Sequence, residues 1–390
     1  MPFEKADRLK ALPPYLFAEI DRRKKAAIAA GRPILNLGIG DPDRPTPRFI
    51  IDALARAAAD PATHQYALDE GDPGLREAIA AWFRGRFGVR LDPATEVLPT
   101  LGSKEAIVHF ILAVVNPGDV ALSPDPGYPP YRGGTLFAGG EVHLMPLVAE
   151  NRFLPDLGAI PAGVLKRAKV LFVNYPNNPT SACATREFFA ELVAFAGKHG
   201  LVVAQDAAYS ELYYEDRPPS ILEVPGARDV AIEFHSFSKT FNMTGWRLGW
   251  ACGNAALVAA LRQMKSNLDS GVFTAIQRAG VAALEGYDRP EIAALRALYR
   301  ERRDALVAGL RRVGLDPIVP EATFYVWTRC PPGTTSLKMA SVLLERCDIV
   351  ATPGVGFGPS GDGYIRFALT VDTDRIAEAV ERIRTLNLKT

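Results

Sequence analysis

The sequence predicts an α/β fold, with a mostly parallel sheet in a large domain and a smaller α+β domain beside it. Short apolar runs alternate with helical patterns from about residue 75, which is typical of parallel sheets covered by helices. The later part of the chain has longer helical patterns and aromatic strands instead. The chain has 390 residues, which is long for one domain. We therefore predict a large domain over 45–285 and a smaller one formed by 1–44 together with 286–390.

Hydrophobic periodicity defines the elements of the large domain. Ile79, Trp82, Phe83 and Phe87 have the spacing of one helix face, and 188–196 repeats this pattern before Gly200. The predicted strands are the short apolar runs 120–122, 142–144, 170–173, 201–204, 231–234 and 248–252. The carboxyl ends of such strands meet at one edge of the sheet, and ligand groups collect there.

The predicted small domain begins in a long helical pattern over 275–312, with a break near 286–290. Its arginines between 296 and 312 are predicted to form the solvated face of a helix. The strands 324–327 and 364–369 and a last helix containing Ile376, Val380 and Ile383 follow. A strand, not a helix, follows the glycine-rich run 354–358, so this run is not a nucleotide-binding fingerprint.

Composition excludes several classes of function. With 45 basic and 44 acidic residues, the net charge of +1 argues against a nucleic-acid partner. Cys183, Cys252, Cys330 and Cys347 are far apart and lack the spacing of metal ligands, so we predict free thiols and no metal site. The first 30 residues do not resemble a signal peptide, and no apolar run is long enough to span a membrane. We expect a cytoplasmic protein without a membrane partner.

Lys239 is the most informative single residue. It lies among small and apolar residues in 236–247, directly after a predicted strand. Burial lowers the pKa of a lysine, and the neutral amine is a nucleophile whose usual biological electrophile is an aldehyde. Ser236, Ser238 and Arg247 in the same stretch can bind a phosphate. Together they indicate a lysine that holds pyridoxal 5'-phosphate (PLP) as a Schiff base.

Other polar residues follow the ends of neighbouring predicted strands. Asp206 ends the run that starts at 201, and its carboxylate could keep the pyridine nitrogen of PLP protonated; a helix cap or a metal ligand is the alternative. Tyr209 could donate a hydrogen bond to the ring oxygen. Asn178 lies in a turn after 170–173 and Tyr128 in a loop after 120–122, so turn formation and loop packing are their simpler explanations.

Two further sites carry groups that bind anions. Gly102, Ser103 and Lys104 precede a helical pattern, and a helix N-terminus after a glycine is suited to a phosphate. Arg366 lies in an apolar strand and so needs a partner. That partner is either an internal carboxylate or the carboxylate of a substrate.

The order of these motifs resembles the fold-type I, class I/II PLP-dependent aminotransferases over nearly the whole chain, from 37–43 to 364–366. The resemblance implies that Lys239 and Asp206 are catalytic and that Tyr128 stacks on the cofactor ring. It also implies phosphate ligands Ser103, Lys104, Ser236 and Arg247, ring-oxygen ligands Asn178 and Tyr209, and substrate-carboxylate ligands Gly40, Asn178 and Arg366. One departure is Ser181, because the family usually has glycine after Asn-Pro-Thr.

The resemblance also implies a homodimer with shared active sites, in which Tyr66 reaches the phosphate of the neighbouring subunit. The segments 13–17, 102–105, 233–247 and 266–273 look most like those of bacterial LL-diaminopimelate aminotransferases, enzymes of lysine biosynthesis. We therefore expect transamination between an amino acid and 2-oxoglutarate, with Tyr15 and Lys104 near the far end of the substrate and Glu105 as a candidate acceptor for its ammonium. Transamination of N-succinyl-diaminopimelate, aspartate, alanine or aromatic amino acids, and C–S β-lyase activity, are the alternatives.

Overall fold

The computed structural model describes residues 4–12, 16–67 and 70–388 of the chain. The strands in this part are β1 Leu35–Asn36, β2 Val97–Thr100, β3 Val120–Asp125, β4 Glu141–Pro146, β5 Ala168–Asn174, β6 Val202–Asp206, β7 Ala231–Ser236, β8 Gly249–Gly253, β9 Asp316–Pro317, β10 Tyr325–Arg329, β11 Ile349–Val350, β12 Thr352–Pro353 and β13 Tyr364–Ala368.

The α-helices in the same part are α1 Asp7–Lys10, α2 Leu16–Ala29, α3 Arg48–Ala58, α4 Pro73–Phe87, α5 Ser103–Val114, α6 Pro129–Phe137, α7 Ala162–Leu165, α8 Arg186–His199, α9 Ala227–Val230, α10 Phe237–Thr240, α11 Ala255–Ser266, α12 Thr274–Glu285, α13 Pro290–Arg312, α14 Ser336–Cys347 and α15 Thr373–Arg384.

The large sheet has the order β2-β8-β7-β6-β5-β3-β4. Strands β3 to β7 run parallel, whereas β8 is antiparallel to both β7 and β2. The predicted α/β fold with a mostly parallel sheet is therefore confirmed. Two hydrophobic clusters form its core, one containing Phe83 of α4 and Phe189 of α8, the other containing Phe110 of α5 and Phe234 of β7.

Local signals fix the helices that cover the sheet. Helix α8 begins where the Thr185 hydroxyl accepts a hydrogen bond from the amide of Phe188 at 3.2 Å. It ends at Gly200, whose φ of 66° is in the left-handed region that glycine enters at no steric cost. The predicted end of this helix at Gly200 agrees with the structure, whereas the capping role of Thr185 was not predicted.

The second sheet is antiparallel and has the order β12-β13-β10-β9. Its cluster of buried residues includes Phe367 of β13, Leu306 of α13 and Ile376 of α15, joined by Leu35 and Leu37 from the N-terminal segment. A separate core made of N-terminal and C-terminal residues is expected if 1–44 and 286–390 form one domain and 45–285 another. The boundaries themselves remain a prediction.

The prediction for the arginines of α13 is wrong for two of them. Arg302 and Arg303 are buried. The N-terminal segment covers this face of the helix, and both terminal nitrogens of Arg302 donate to the Asp43 carboxylate, at 2.7 and 2.8 Å. A buried guanidinium needs such a bidentate partner, and helical periodicity cannot reveal a partner that is 259 residues away.

The described residues contain no α-helix with the length and hydrophobicity needed to cross a bilayer. Cys183, Cys252, Cys330 and Cys347 are free thiols, as predicted.

Candidate active site

A cavity of about 560 Å³ opens at the carboxyl edge of the large sheet, between that sheet, the segment 38–41 and the strands β10 and β13. The sequence-predicted residues on its wall are Gly40, Ser103, Lys104, Tyr128, Asn178, Asp206, Tyr209, Ser236, Lys239, Arg247 and Arg366. Residues far apart in sequence meet here because parallel strands end at the same edge.

Lys239 lies in α10, the short helix that follows β7. Its Nζ donates a hydrogen bond to the carbonyl of Gly40 at 2.8 Å. Desolvation lowers the pKa of this lysine to about 8, and the positive charges of Arg366 and Arg247 act in the same direction, whereas Asp41 opposes them. A substantial fraction of the amine is therefore neutral near pH 8, as a nucleophilic lysine requires.

Asp206 ends β6 and is buried. Its Oδ2 accepts a hydrogen bond from the Tyr131 hydroxyl at 2.7 Å, and its Oδ1 accepts one from the amide of Ala208 at 3.2 Å. Burial raises the pKa of this carboxyl, while the two hydrogen bonds lower it. A buried carboxylate with a raised pKa is stabilised by a cationic group placed against it.

Tyr209 forms a pair with a second tyrosine in the site. Its hydroxyl lies 2.9 Å from the hydroxyl of Tyr325, the first residue of β10. Burial raises the pKa of Tyr209 well above its usual range, so this phenol remains protonated and can donate a hydrogen bond.

The phosphate-binding end combines a helix N-terminus with an arginine. Ser103 is the first residue of α5, after Gly102 with a φ of 82°. A side chain at Gly102 would overlap the guanidinium of Arg247. Arg247 donates to the carbonyl of Thr244 at 3.0 Å and pairs with Glu105 at 2.9 Å. Glu105 is therefore a partner of Arg247. This contact does not support the expectation that Glu105 accepts a hydrogen bond from a substrate ammonium.

Arg366 of β13 is buried, with only 4% of its surface exposed. Its Nη1 donates to Oδ1 of Asn178 at 2.7 Å, and its Nη2 donates to the carbonyl of Gly38 at 2.8 Å. The guanidinium lies 4.0 Å from the ring centre of Tyr325 and 4.7 Å from that of Phe357. Among the described residues, its Nε has no hydrogen-bond partner and no carboxylate pairs with it. A buried arginine without a counter-ion is suited to an anionic ligand.

Among the described residues, one predicted residue, Tyr66, is not on the cavity wall. Tyr66 is 89% exposed on this chain. Tyr15 lies outside the described residues. Lys104 is exposed where it lines the cavity, at the start of α5.

Sequence reasoning missed two residues that support the site, Tyr131 and Tyr325. Tyr131 lies on α6, three residues after Tyr128. This helical spacing was the only feature of the sequence that could have indicated that both tyrosines lie near the site. The ring of Tyr131 stacks on Phe172 at 5.0 Å, so its direction depends on a residue of β5. Tyr325 was assigned to a strand, but its neighbours Tyr209 and Arg366 come from other elements. Neither contact is encoded locally.

The residues present fit PLP by their chemistry. The cavity offers an amine of lowered pKa, a buried carboxylate able to face a pyridinium, and a helix N-terminus with an arginine for a phosphate dianion. The missing Cβ of Gly102 leaves room for Arg247 at that end. Together, the fold and this site define a PLP-dependent enzyme.

Comparison with known proteins agrees with this class. Residues 32–383 match the model for aminotransferase class I and II. The chain is 57% identical, over 99% of its length and 100% of the relative's, to the LL-diaminopimelate aminotransferase of Syntrophobacter fumaroxidans.

Solved structures give the same result. The apo structure of BacF from Bacillus subtilis superposes with a TM-score of 0.95 at 39% identity, covering 99% of both chains. A probable N-succinyldiaminopimelate aminotransferase from Thermus thermophilus has a TM-score of 0.89 at 39% identity, covering 95% of this chain and 99% of that one. The chain belongs to the class I and II aminotransferase family, and it is a PLP-dependent aminotransferase.

Proposed function

We propose that this enzyme transfers the amino group of LL-diaminopimelate to 2-oxoglutarate in lysine biosynthesis. The observation that carries this assignment is the 57% identity, over nearly the full length of both chains, to an enzyme named for that substrate. The cavity supplies the groups that such a reaction needs.

Lys239 performs the proton transfer in this proposal. When bound, PLP supplies an electron sink for the bond broken at the substrate α-carbon. The Nζ of Lys239 would hold the aldehyde of the cofactor and, when free, would carry a proton to and from that carbon. Its lowered pKa of about 8 suits this role, because a general base works best with a pKa near the working pH.

Asp206, Tyr209 and Tyr128 orient the ring in the proposal. Asp206 would keep the pyridine nitrogen protonated, and Tyr131 and the Ala208 amide hold its carboxylate in place. Tyr209 and Asn178 would hold the ring oxygen, and Tyr128 would support the ring. Ser103, Lys104, Ser236 and Arg247 bind the phosphate at the other end of the cavity.

Arg366 binds the α-carboxylate of the substrate, together with Asn178 and the backbone at Gly40. The unpaired Nε and the absence of an internal counter-ion among the described residues support this role. Filling the cavity with substrate also removes water from around Lys239, which favours its neutral form. For the distal end of the substrate, Lys104 at the cavity wall and Tyr15 remain the candidates.

The proposal includes a homodimer with shared active sites. Tyr66 is a large aromatic residue that is 89% exposed on one chain, and Leu268 and Phe273 are also exposed. An interface that covers them would bring the Tyr66 hydroxyl to the phosphate of the neighbouring subunit. The free cysteines support the cytoplasmic location expected from the sequence, because thiols persist in reducing compartments.

A panel of amino donors tests the substrate assignment. PLP-loaded enzyme is assayed with 2-oxoglutarate and, in turn, LL-diaminopimelate, N-succinyl-LL-diaminopimelate, aspartate, alanine and phenylalanine, and kcat/KM is compared. We expect LL-diaminopimelate to exceed every other donor by at least about 10²-fold, the discrimination expected when buried polar groups are left unpaired by a wrong substrate.

Three outcomes would contradict the assignment. The solved structure from Thermus thermophilus is named a probable N-succinyldiaminopimelate aminotransferase, and a higher kcat/KM for the N-succinyl donor would reassign the enzyme. Activity confined to aspartate or aromatic donors would also reject LL-diaminopimelate. Release of pyruvate and ammonia from cystathionine without an oxo acid acceptor would instead indicate a β-lyase.

A further inference from the structure

Ser181 has a backbone conformation that serine rarely adopts. It follows Asn-Pro-Thr in the turn after β5, and its φ of 64° lies in the left-handed region. Its amide donates to the carbonyl of Asn177 at 2.8 Å, which closes the turn that also carries Asn178. Glycine would adopt this φ without strain. A serine in this strained conformation therefore suggests that its hydroxyl has a function.

That hydroxyl belongs to a closed ring of hydrogen bonds around the backbone of Tyr325. The Ser181 hydroxyl donates to the Tyr325 carbonyl at 2.8 Å, and its oxygen lies 2.7 Å from the hydroxyl of Thr323. The amide of Tyr325 donates to that same Thr323 oxygen at 3.0 Å. Since Ser181 uses its only proton on the carbonyl, Thr323 donates to Ser181. All three residues are buried, so water cannot reach these polar groups, and losing one of the bonds would leave a group without a partner.

The position of Tyr325 in the sheet explains why its carbonyl needs Ser181. Tyr325 lies opposite Ala368 in the antiparallel pair of β10 and β13. The amide of Leu369 donates to the carbonyl of Phe324 at 2.9 Å, so Tyr325 and Ala368 form a non-hydrogen-bonded pair and the Tyr325 carbonyl faces away from β13. On its other side, β10 pairs with β9 only at Thr328 and Arg329. The first residue of β10 is therefore held by Ser181 and Thr323.

Tyr325 in turn sets the environment of Arg366. Its ring lies under the guanidinium at 4.0 Å, and its hydroxyl lies 2.9 Å from that of Tyr209. Its hydroxyl also occupies the space that a side chain at Gly40 would need. A shift of the Tyr325 backbone therefore moves the aromatic ring against which the Arg366 guanidinium packs. Asn178, three residues before Ser181, accepts a hydrogen bond from the same guanidinium.

We propose that Ser181 is a positioning residue for substrate binding. Its hydroxyl fixes the start of β10 against the turn that carries Asn178, and so holds Tyr325 and Arg366 in register for the substrate carboxylate. This inference rests on the proposed role of Arg366 as the carboxylate ligand. Ser181 itself touches neither the substrate nor the cofactor in this account.

Matched substitutions separate the hydroxyl from the backbone. Ser181→Ala removes the hydroxyl and retains the left-handed strain, whereas Ser181→Gly removes both. Thr323→Val removes the second member of the ring at nearly constant shape, and the double variant Ser181→Ala/Thr323→Val tests their coupling. Ser220→Ala is the control for loss of a buried serine hydroxyl, because Ser220 bonds to Glu233 outside the cavity.

The measurements are made on the PLP-loaded enzyme. We expect Ser181→Ala and Ser181→Gly each to raise KM for both the amino donor and 2-oxoglutarate by about tenfold, the scale of one buried hydrogen bond, with kcat changing less than about threefold. The double variant should be worse than Thr323→Val alone by less than the effect of Ser181→Ala in the wild type, because part of the ring is already lost. Hydrogen exchange of a peptide containing Tyr325 should be faster in all four Ser181 and Thr323 variants, and Ser220→Ala should leave KM unchanged.

Three results would overturn the inference. The first is a wild-type KM in Ser181→Gly, because the enzyme would then bind its substrates normally without the hydroxyl. The second is full additivity in the double variant, and the third is an unchanged KM in every Ser181 variant. Arg366→Gln, assayed in parallel, separates this from failure of the proposed function. If Arg366→Gln raises KM and the Ser181 variants do not, only the role of Ser181 fails; if Arg366→Gln leaves KM unchanged, the carboxylate assignment fails and Ser181 with it.

Discussion

The two sides of the cavity are built in different ways. The cofactor side consists of Ser103, Asp206, Ser236, Lys239 and Arg247, which lie within or shortly after a strand of the large sheet or, for Arg247, just before β8. The carboxylate side combines Gly38 and Gly40 from the N-terminal segment, Asn178 from a turn, and Tyr325 and Arg366 from the second sheet. The cofactor side is thus set by strand ends, whereas the carboxylate side depends on contacts between separate parts of the chain.

This difference has a consequence for rigidity. Residues at the ends of neighbouring parallel strands are held by the sheet itself, and their relative positions change little. The carboxylate side is held by individual hydrogen bonds, such as those from Arg366 to Asn178 and to Gly38. We therefore expect substitutions on the cofactor side to abolish catalysis and those on the carboxylate side to weaken substrate binding.

The largest expected effect is that of Lys239→Ala. Transamination should fall by about 10⁴-fold, the upper end for loss of a positioned base, while PLP still binds without a covalent link. Steady-state kinetics and the absorption spectrum before and after borohydride measure both effects. Lys166→Ala, at an exposed lysine, is the control and should behave as wild type. Undiminished turnover in Lys239→Ala would reject the role of this lysine.

Arg366→Gln should have the next largest effect. Loss of a charge-assisted hydrogen bond in a buried site, at about 3 kcal/mol, corresponds to a decrease of about 10²-fold in kcat/KM. The decrease should come mainly from KM for both substrates, with the PLP spectrum unchanged.

Arg329→Gln provides the matched control for Arg366. Arg329 lies on the neighbouring strand β10 and pairs with Asp316 at the surface, at 3.6 Å. We expect wild-type kinetics from this variant. An equal loss in both variants would mean that Arg366 acts through the stability of the second sheet and not through the substrate.

Tyr131→Phe should have the smallest effect and should appear in the pH profile. The Tyr131 hydroxyl bonds to the ionised form of Asp206 and so lowers its pKa, against the larger raising effect of burial. Without that bond the pKa of Asp206 rises further, and a larger fraction is protonated at any given acidic pH. The acidic limb of kcat/KM should therefore move to higher pH, with a loss of only a few-fold at the optimum.

Tyr175→Phe is the control for this shift. Tyr175 is also buried, but its hydroxyl donates to the carbonyl of Phe153 at 2.7 Å and not to a carboxylate. Its removal should leave the acidic limb in place. A shift of the same size in Tyr175→Phe, or a shift to lower pH in Tyr131→Phe, would contradict the proposed contact with Asp206.

Sequence reasoning was most successful where a signal is local. The strands β3 to β8 were predicted from apolar runs, and most of the predicted residues on the cavity wall lie near the ends of strands of the large sheet. It failed at Arg302, which was assigned to a solvated face but pairs with Asp43 in the interior. It also gave no account of Ser181, whose partners lie more than 140 residues away.

The sequence by itself determined the α/β fold, the polar residues that follow the strands and the chemical groups of the cofactor side. Periodicity and motifs extend over only a few residues and can therefore be recognised in the sequence. Tertiary structure alone decided the partners of Asp206, the aromatic support under Arg366 and the ring of hydrogen bonds at Ser181. Those contacts join segments that are distant along the chain. Their formation depends on how helices and sheets pack, and on which buried polar groups are left in need of a partner.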